Sequence, residues 1–398
     1  MSQIPCRKLK TLKDFYALMD ETRLVRREAV ANVLDGHAPA GEIIQSLRNA
    51  LECLEAVPVQ GERRVLSLDG ERTIELDMDY EINETRKDLL FLEEGESAFW
   101  DFLCDLHPGF DTRVAEGRDL LAGVDLGCVI TDRDGTINNY CARYLTSIQS
   151  VYNAVYLTRF ARSRVTRPVI LTSAPLDGLI RISVAPEGAF YYAASKGREC
   201  LDLEGRVRRL PIPAEKQEAL DALNTRLTRL VARPEYEKFS LIGSGLQFKF
   251  GQSTVARQDI GKSVPEAESM AFLDLLKGIV AKADPDGHTF RIEDTGLDVE
   301  IILTIETAED GLKDFDKGDG VRFLNEELDL GMFRGAHLVC GDTGSDVPML
   351  EAAMEMSPDT RAIYVTQKEE LSRRVKGVVP NALIVPEPDM LVAILGTS

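Results

Sequence analysis

The sequence predicts an α/β protein with a parallel sheet covered by helices, an inserted α/β module and a mostly helical N-terminal extension. From about residue 120, short apolar runs bounded by turn residues alternate with helix-like stretches. Strands that are buried on both faces have such near-continuous apolar runs. The predicted strands of the sheet cover 124–131, 168–172, 336–340 and 362–366, and the helices between them include 145–160 and 318–327.

The extension covers residues 1 to 115. Leu12, Phe15 and Met19 recur at helical spacing, and a further helix is predicted over 84–106. Alternating residues around Asp69-Gly70 predict a hairpin between the helices. We recognise no chemistry in this segment.

Residues 178–311 interrupt the alternation of strands and helices. They contain one helical stretch and several strand-like pieces, which we interpret as an α/β module inserted into the sheet domain. The core is then 116–177 together with 312–398. The helix is predicted over 214–231, and the strands over 188–194, 245–251, 288–293 and 297–305.

The composition excludes several classes of protein. Lys and Arg number 47 against 66 Asp and Glu, and the net charge of −19 argues against nucleic acid or an anionic membrane as partner. No apolar run approaches the roughly 18 to 20 residues of a membrane span. The first residues lack the apolar core of a secretory signal, and the seven cysteines form no C-x-x-C pair. These features predict a cytoplasmic protein with reduced thiols.

Polar residues follow three of the predicted strands and begin one helix. Because ligands in parallel α/β sheets bind beyond the carboxyl ends of the strands, we expect these residues to converge. The set contains four carboxylates, a hydroxyl and an ammonium. Its members are Asp132 and Asp134 after the first strand, Ser173 (beside Thr172) after the second, Lys317 at the start of a helix, and Asp342 and Asp346 after the third strand.

This combination indicates phosphoryl transfer with Mg²⁺, which takes one or two carboxylates and a phosphate oxygen. The ion would neutralise the repulsion between Asp132, Asp134 and Asp342. Lys317 and Ser173 would hold the remaining phosphate oxygens. Asp132 is then the candidate nucleophile, and Asp134 is the candidate proton donor and acceptor.

Each motif also has a purely structural interpretation. An isolated D-x-D is usually a solvated turn, and we interpret Asp77-Met-Asp79 in this way because no Gly-Thr follows it. Ser345 or Asp346 could simply cap the next helix. The combination of motifs on separate strand ends nevertheless favours an active site.

Residues 120–398 resemble the haloacid dehalogenase superfamily, whose motifs match Asp132-Arg-Asp134-Gly-Thr, Ser173, Lys317 and Gly341-Asp342…Asp346. The resemblance implies a Mg²⁺-dependent phosphohydrolase with Asp132 as nucleophile and Asp134 as general acid/base. It implies metal binding by Asp132, Asp342, Asp346 and Asp134, the last through its backbone carbonyl. Ser173-Ala-Pro departs from the usual Ser/Thr-Gly-Arg.

The spacing of the motifs indicates a subclass. Asp132 and Ser173 are only 41 positions apart, whereas Ser173 and Lys317 are 144 apart. A cap at this second place resembles the sugar-phosphatase branch, which includes trehalose-6-phosphate, sucrose-phosphate and mannosyl-3-phosphoglycerate phosphatases. A phosphomutase with its cap at the first place is disfavoured.

Within the cap, the resemblance is greatest to trehalose-6-phosphate phosphatases. Residues 194–199 are similar to that family's small-Ser-His-Gly-x-Glu, residues 237–238 to its Glu-x-Lys, and residues 296–301 to its Gly-Lys-x-Val-Glu-Ile. The histidine of the first motif is replaced, and the spacing of the second is shortened. The resemblance implies that the matching residues contact the sugar: Lys196, Glu199, Glu237, Lys238 and Glu300.

The expected function is therefore hydrolysis of a sugar phosphate, with trehalose 6-phosphate favoured and an aspartyl-phosphate intermediate. Phosphatases of mannosyl-3-phosphoglycerate or sucrose phosphate, a phosphotransferase and a non-catalytic regulatory module stay open as alternatives. The extension is a candidate for self-association or for binding a partner enzyme.

Overall fold

The computed structural model describes residues 3–68, 70, 72–259, 261–304 and 315–398. No helix in these ranges is both long and apolar enough to cross a membrane. The helices are α1 (Leu12–Leu34), α2 (Gly41–Glu55), α3 (Asp79–Leu106), α4 (Phe110–Leu121), α5 (Val151–Arg164), α6 (Leu176–Ile182), α7 (Ala214–Val231), α8 (Lys238–Leu241), α9 (Glu266–Ala283), α10 (Lys317–Glu327), α11 (Val347–Met356), α12 (Glu369–Val378) and α13 (Pro388–Thr397). The strands are β1 (Val59–Gln60), β2 (Arg63–Ser67), β3 (Thr73–Leu76), β4 (Leu126–Thr131), β5 (Val165–Leu171), β6 (Tyr191–Ala194), β7 (Glu199–Leu201), β8 (Val207–Arg209), β9 (Leu246–Lys249), β10 (Gln252–Ala256), β11 (Phe290–Asp294), β12 (Asp298–Leu303), β13 (Ala336–Gly341), β14 (Thr360–Val365) and β15 (Leu383–Val385).

The largest sheet has the strand order β15-β14-β13-β4-β5-β6-β7-β8. Its strands are parallel from β15 to β6, and β7 and β8 extend it as an antiparallel edge. The central strand β4 is almost entirely buried, which explains its continuous apolar sequence. The predicted parallel sheet is confirmed, and the carboxyl ends of β4, β5 and β13 share one edge.

A separate antiparallel sheet, with the order β11-β12-β10-β9, forms the inserted module together with α7 to α9. We predicted that this module begins at residue 178, but β6, β7 and β8 pair within the large sheet. The crossover through α6 places β6 parallel to β5, and β7 and β8 then follow as antiparallel neighbours through short connections. We therefore propose that the module begins after β8. The predicted return to the core at residue 312 lies outside the described residues.

The N-terminal extension consists of α1 to α4 and a small antiparallel sheet. Strands β2 and β3 pair as the predicted hairpin, although Asp69 of its turn lies outside the described residues. Helix α1 starts with a capping box in which Thr11 and Asp14 satisfy each other's backbone N–H groups. Phe99 of α3 packs on Tyr152 of α5, with ring centroids 4.6 Å apart. The extension therefore shares its hydrophobic core with the parallel-sheet domain.

Buried charges also join the extension to the last helix. Lys87 of α3 lies between Glu84 and Asp389, with Nζ–oxygen distances of 2.8 and 2.7 Å. His107 Nε2 lies 2.7 Å from an oxygen of Asp389. The amide of Asn139 donates to both carboxylates, at 3.0 Å to Glu84 and 2.9 Å to Asp389. Because Asn139 belongs to the loop after β4, this network reaches from the extension to the loop that carries the D-x-D motif.

Candidate active site

Three carboxylates converge at the carboxyl edge of the large sheet. One oxygen from each of Asp132, Asp342 and Asp346 lies within 4.8 Å of the others. The ammonium of Lys317 is 2.8 Å from Asp132 and 2.6 Å from Asp346. Lys317 is the first residue of α10, whose N-terminus is fixed by a capping box between Asp316 and Asp319. The structure thus brings together residues from β4, β13 and α10, as the motif spacing led us to expect.

The electrostatics of this group leave an excess of negative charge. Burial raises the pKa of Asp132 to about 7, with the nearby carboxylates adding to the effect and Lys317 opposing it. Burial also raises the pKa of Asp342 to about 6. Burial alone would lower the pKa of Lys317, but the carboxylates of Asp132 and Asp346 outweigh it and raise the pKa. The single positive charge of Lys317 does not neutralise the three carboxylates. Their oxygens form a donor set that suits Mg²⁺.

Asp346 is held in place from several directions. Its Oδ2 accepts the backbone N–H groups of Asp342 at 3.1 Å and Thr343 at 2.8 Å, while its Oδ1 faces Lys317. The hydroxyl of Tyr364 donates to its backbone carbonyl at 2.9 Å. This fully buried carboxylate therefore fixes the loop after β13 and the position of the ammonium.

The Gly-Thr that follows the D-x-D motif has a geometric explanation. Gly135 has φ of +83°, and a Cβ atom there would lie 2.4 Å from Oδ2 of Asp342. Thr136 Oγ1 donates a hydrogen bond of 2.8 Å to Oδ1 of Asp342. A glycine is therefore required for the turn, and the threonine orients a carboxylate from a distant strand.

The carboxylate of Asp134 does not belong to the group of three. It pairs with the guanidinium of Arg133 and accepts a hydrogen bond of 3.0 Å from Ser147 Oγ. The group of described acidic residues that could hold a metal ion does not include Asp134, for which the resemblance implied binding through the backbone carbonyl. Arg133, the middle residue of the motif, is buried and also binds the backbone carbonyl of Ser147. We had assigned Arg133 no role, because the motif pattern leaves this position free.

Ser173 and Thr172 differ in exposure. The Thr172 side chain is buried, and its hydroxyl accepts the backbone N–H of Ala174 at 3.3 Å. Ser173 is half-buried and lines a small cavity of about 130 Å³, together with Lys196 and Glu300. This arrangement favours Ser173 as the hydroxyl that faces a ligand.

The turn that carries Lys196 packs tightly on α10. Ser195 and Lys196 both have positive φ, at 53° and 63°. A Cβ atom on Gly197 would lie 2.8 Å from the Cα of Gly320, and one on Gly320 would lie 2.0 Å from the carbonyl oxygen of Lys196. Two glycines therefore allow this turn to contact the helix that begins with Lys317.

The remaining three predicted sugar contacts lie elsewhere. Glu199 accepts hydrogen bonds from Ser195 Oγ at 3.0 Å and from the N-terminus of α6, so that it supports the turns beside the site. Glu237 pairs with Lys13 of α1 at 2.6 Å, and Lys238 pairs with Glu268 of α9 at 2.5 Å. Among the described residues, the lining of the small cavity includes none of these three.

Lys249, to which we had assigned no role, lies at the end of β9 and lines the small cavity. Burial lowers its pKa, with Lys196 acting in the same direction and the carboxylates of Glu300 and Asp298 in the opposite one. The sequence contained a signal for it, since Gln247-Phe-Lys249 preserves the one-residue spacing of Glu-x-Lys.

Comparison with known proteins agrees with this geometry. Residues 129–391 match the family model of the trehalose-6-phosphate phosphatase C-terminal domain, and residues 11–106 match that of the N-terminal helical bundle domain of the same phosphatase. The chain belongs to the trehalose-6-phosphate phosphatase family. The parallel core with its inserted module agrees with the fold class that the sequence predicted.

Individual relatives include longer proteins. The chain is 36% identical over 390 residues to α,α-trehalose-phosphate synthase [UDP-forming] 2 of Aphelenchoides avenae, covering 92% of this chain and 30% of that protein. It is 31% identical over 336 residues to a trehalose-phosphatase of Caenorhabditis briggsae, covering 75% and 76% of the two chains. Among solved structures, trehalose-6-phosphate phosphatase of Aspergillus fumigatus matches 72% of this chain and 98% of its own, with 15% identity and a TM-score of 0.41. This chain thus spans only about 30% of the length of the first of these relatives.

Proposed function

We propose that the protein is a Mg²⁺-dependent phosphatase that hydrolyses trehalose 6-phosphate to trehalose and phosphate. The observation that carries the proposal is the meeting of Asp132, Asp342, Asp346 and Lys317 at one sheet edge. This arrangement supports phosphoryl transfer, and membership of the trehalose-6-phosphate phosphatase family supports the choice of sugar.

Asp132 and Asp342 would hold the Mg²⁺ ion together with the backbone carbonyl of Asp134, while Asp346 ligates it or orients its shell. When bound, the ion supplies positive charge that stabilises the phosphoryl oxygens in the transition state. Lys317 and Ser173 would bind the remaining phosphate oxygens and align the phosphorus with Asp132.

In the first step, an oxygen of Asp132 forms a bond to phosphorus while the bond from phosphorus to the sugar oxygen breaks. Asp134, which must take up a proton before this step, donates it to the departing alkoxide and returns to the carboxylate that pairs with Arg133. In the second step, this carboxylate takes a proton from water, the water oxygen bonds to phosphorus, and the bond to Asp132 breaks to release phosphate. Arg133 and Ser147 hold Asp134 in position through both steps.

Sugar recognition would involve Lys196, Lys249 and Glu300, which line the small cavity beside Ser173. Lysine and glutamate side chains can donate to and accept from sugar hydroxyls. Sites of this kind discriminate strongly, because a buried polar group left unmatched is costly. We retain Glu199 as a residue that positions Ser195 and α6, and we place Glu237 and Lys238 outside the sugar site.

Phosphate release with Mg²⁺ from a panel of sugar phosphates tests this proposal. We expect trehalose 6-phosphate to have the highest kcat/KM, above sucrose 6-phosphate and mannosyl-3-phosphoglycerate. Chelation with EDTA should abolish release, and added Mg²⁺ should restore it. Asp132→Asn should abolish release, whereas Asp79→Asn, in the exposed D-x-D of the extension, should leave it unchanged. Phosphate release by Asp132→Asn at the wild-type rate would refute the assigned nucleophile.

We also propose a cytoplasmic location. All seven cysteines are free thiols in the structure, including four fully buried ones at positions 53, 128, 200 and 340. This usage supports a reducing compartment. Fractionation of cells that express the tagged protein tests the location. Self-association or a partner enzyme bound through the extension stays a prediction, which sedimentation of the purified chain would test.

A further inference from the structure

A larger cavity of about 410 Å³ lies where the extension, the core and the inserted module meet. Its lining comes from the β2–β3 hairpin, from the loop after β4 and from the ends of β10 and β12. Ligand pockets usually measure roughly 300–1,000 Å³, so that the 130 Å³ cavity beside Ser173 is too small for a disaccharide and the larger cavity is not.

The position of this cavity suits the leaving group of the reaction. Asp134, the proposed proton donor, lines it, and a proton donor must lie within hydrogen-bond reach of the departing oxygen. Strand β12 contributes lining residues to both cavities. Asp298 lines the larger one and Glu300 the smaller one, and residues two apart on a strand face the same side, about 7 Å from each other.

One acceptor in the cavity lacks a donor. Asp259 is 6% exposed, and its Oδ2 has no hydrogen-bond partner in the described part of the protein. The closest cation is Arg143, whose Nη2 lies 4.0 Å away. Buried polar atoms are nearly always hydrogen-bonded in native proteins, so that a rotation of this side chain toward the cavity would give its oxygen a donor from a ligand. A sugar hydroxyl is such a donor.

The other lining residues agree with a neutral sugar. The carboxylates at the wall outnumber the guanidinium groups of Arg63 and Arg143, which disfavours a second anionic group in the ligand. This favours a disaccharide over the carboxylate-bearing mannosylglycerate. Tyr140, at the rim, is 74% exposed and offers an aromatic face for the C–H side of a sugar ring.

The hairpin of the extension presents a polar face to this cavity. Along β3, Ile74, Leu76 and Met78 are buried, whereas Glu75 and Asp77 are exposed. Glu75 and Asp77 line the cavity, together with Arg63 of β2. We had interpreted the D-x-D at Asp77 as a solvated turn, but its first carboxylate lies in the wall that also contains Asp134.

We propose that the β2–β3 hairpin is part of the substrate site, in which Arg63, Glu75 and Asp77 bind hydroxyls of the distal sugar ring. The inference rests on the proposed phosphatase function and adds the extension to the site. It gives the helical extension a role in choosing a disaccharide phosphate over a monosaccharide phosphate.

The test compares kcat/KM for trehalose 6-phosphate with kcat/KM for glucose 6-phosphate, which has no distal ring. For Arg63→Ala and Glu75→Ala in the full chain, we expect the ratio of the two values to fall by about 10-fold or more, since each variant removes hydrogen bonds to a charged group. Glu62→Ala is the matched control for Glu75→Ala, because Glu62 is exposed in the turn before β2 and is not among the described lining residues. Arg86→Ala, on the exposed face of α3, is the control for Arg63→Ala.

The outcomes separate the two proposals. An unchanged ratio in Arg63→Ala and Glu75→Ala would overturn the role of the hairpin while leaving the phosphatase intact. Loss of activity toward both substrates in these variants would also overturn it, because a distal-ring contact should not affect a monosaccharide. Absence of phosphate release by the wild-type protein from any sugar phosphate would instead remove the proposed function. Binding of trehalose by calorimetry gives a second readout, with weaker binding expected in both hairpin variants.

Discussion

Replacement of Lys87 by methionine tests whether the extension and the core form one stability unit. The ammonium lies between Glu84 and Asp389, and all three side chains are almost fully buried. Removing one partner of a buried ion pair typically costs about 3–5 kcal/mol, because the remaining charge is left uncompensated. Methionine has a similar length, so that the loss reflects charge rather than a cavity.

The structure places Lys87→Met at the lower end of that range. Asp389 would keep three donors, from Tyr152, His107 and Asn139. Lys87 and the hydrogen bonds from His107 and Tyr152 hold the pKa of Asp389 below its ordinary value even though it is buried. Glu84 would keep only one hydrogen-bond donor among the described residues, the amide of Asn139. We therefore expect a loss of about 3 kcal/mol in the free energy of unfolding.

Urea unfolding followed by two probes measures this loss. Trp100, the only tryptophan, lies in α3 and reports on the extension, whereas far-UV circular dichroism reports on the whole chain. Because buried charges join α3 to α13, both probes should show the same transition and the same shift in Lys87→Met. Lys13→Met is the matched control, since Lys13 forms an exposed ion pair with Glu237 that should contribute at most about 1 kcal/mol. A loss in Lys87→Met no larger than that of Lys13→Met, or separate transitions for the two probes in the wild-type protein, would refute the reasoning.

Three further predictions follow from single residues. Burial raises the pKa of Glu81 from 4.5 to about 7, so that its neutral form stabilises the fold below pH 4.5 and this contribution is lost as the pH rises to 7. In Glu81→Gln this decline in stability should be absent, and at pH 8 the variant should be up to about 3 kcal/mol more stable than the wild type. Urea unfolding at several pH values measures both. Gly320→Ala should lower the free energy of unfolding by about 1–3 kcal/mol, because its Cβ would overlap a backbone oxygen. Gly278→Ala, in α9 with open space around it, should leave the stability unchanged or raise it by up to about 1 kcal/mol. Equal shifts of the melting temperature in the two variants would contradict the close packing. Gly135→Ala should lower kcat about 10²-fold by displacing Asp342, with the melting temperature as the control for folding, and wild-type turnover would disprove the assigned contact.

The meeting of the candidate catalytic residues could be predicted, because the carboxyl ends of parallel strands share one edge of the sheet. Asp132 and Asp342 follow strands that end at one edge of the sheet, and Lys317 begins a helix there. The order of apolar runs was therefore sufficient to predict that they meet. The orientation of Asp134 could not be predicted in this way. It depends on Arg133, whose side-chain direction is set by the tertiary contact with Ser147.

The inserted module was harder to interpret because antiparallel strands can adopt more than one register. Helix α7 was predicted with its observed bounds, since its apolar residues repeat at helical spacing. Strand β10 and helix α9 were missed, and Lys249 of β9, which lines the small cavity, was assigned no role. Glu237 and Lys238, which we matched to the family's Glu-x-Lys, form ion pairs with α1 and α9, contacts that no local pattern encodes.

The close contact between Gly197 and Gly320 fixes the turn that carries Lys196 against the helix that carries Lys317. Lys196 and Lys317 sit on one rigid body, because the turn and the helix that carry them touch through their backbones. Lys249 and Glu300 belong to the inserted sheet, which joins that body covalently only where the chain enters and leaves it. A ligand that binds both groups of residues would hold the inserted sheet against the core, and the product would have to dissociate from one group before release. The rate of turnover would then depend on how tightly the inserted sheet binds the product as much as on cleavage of the phosphate bond.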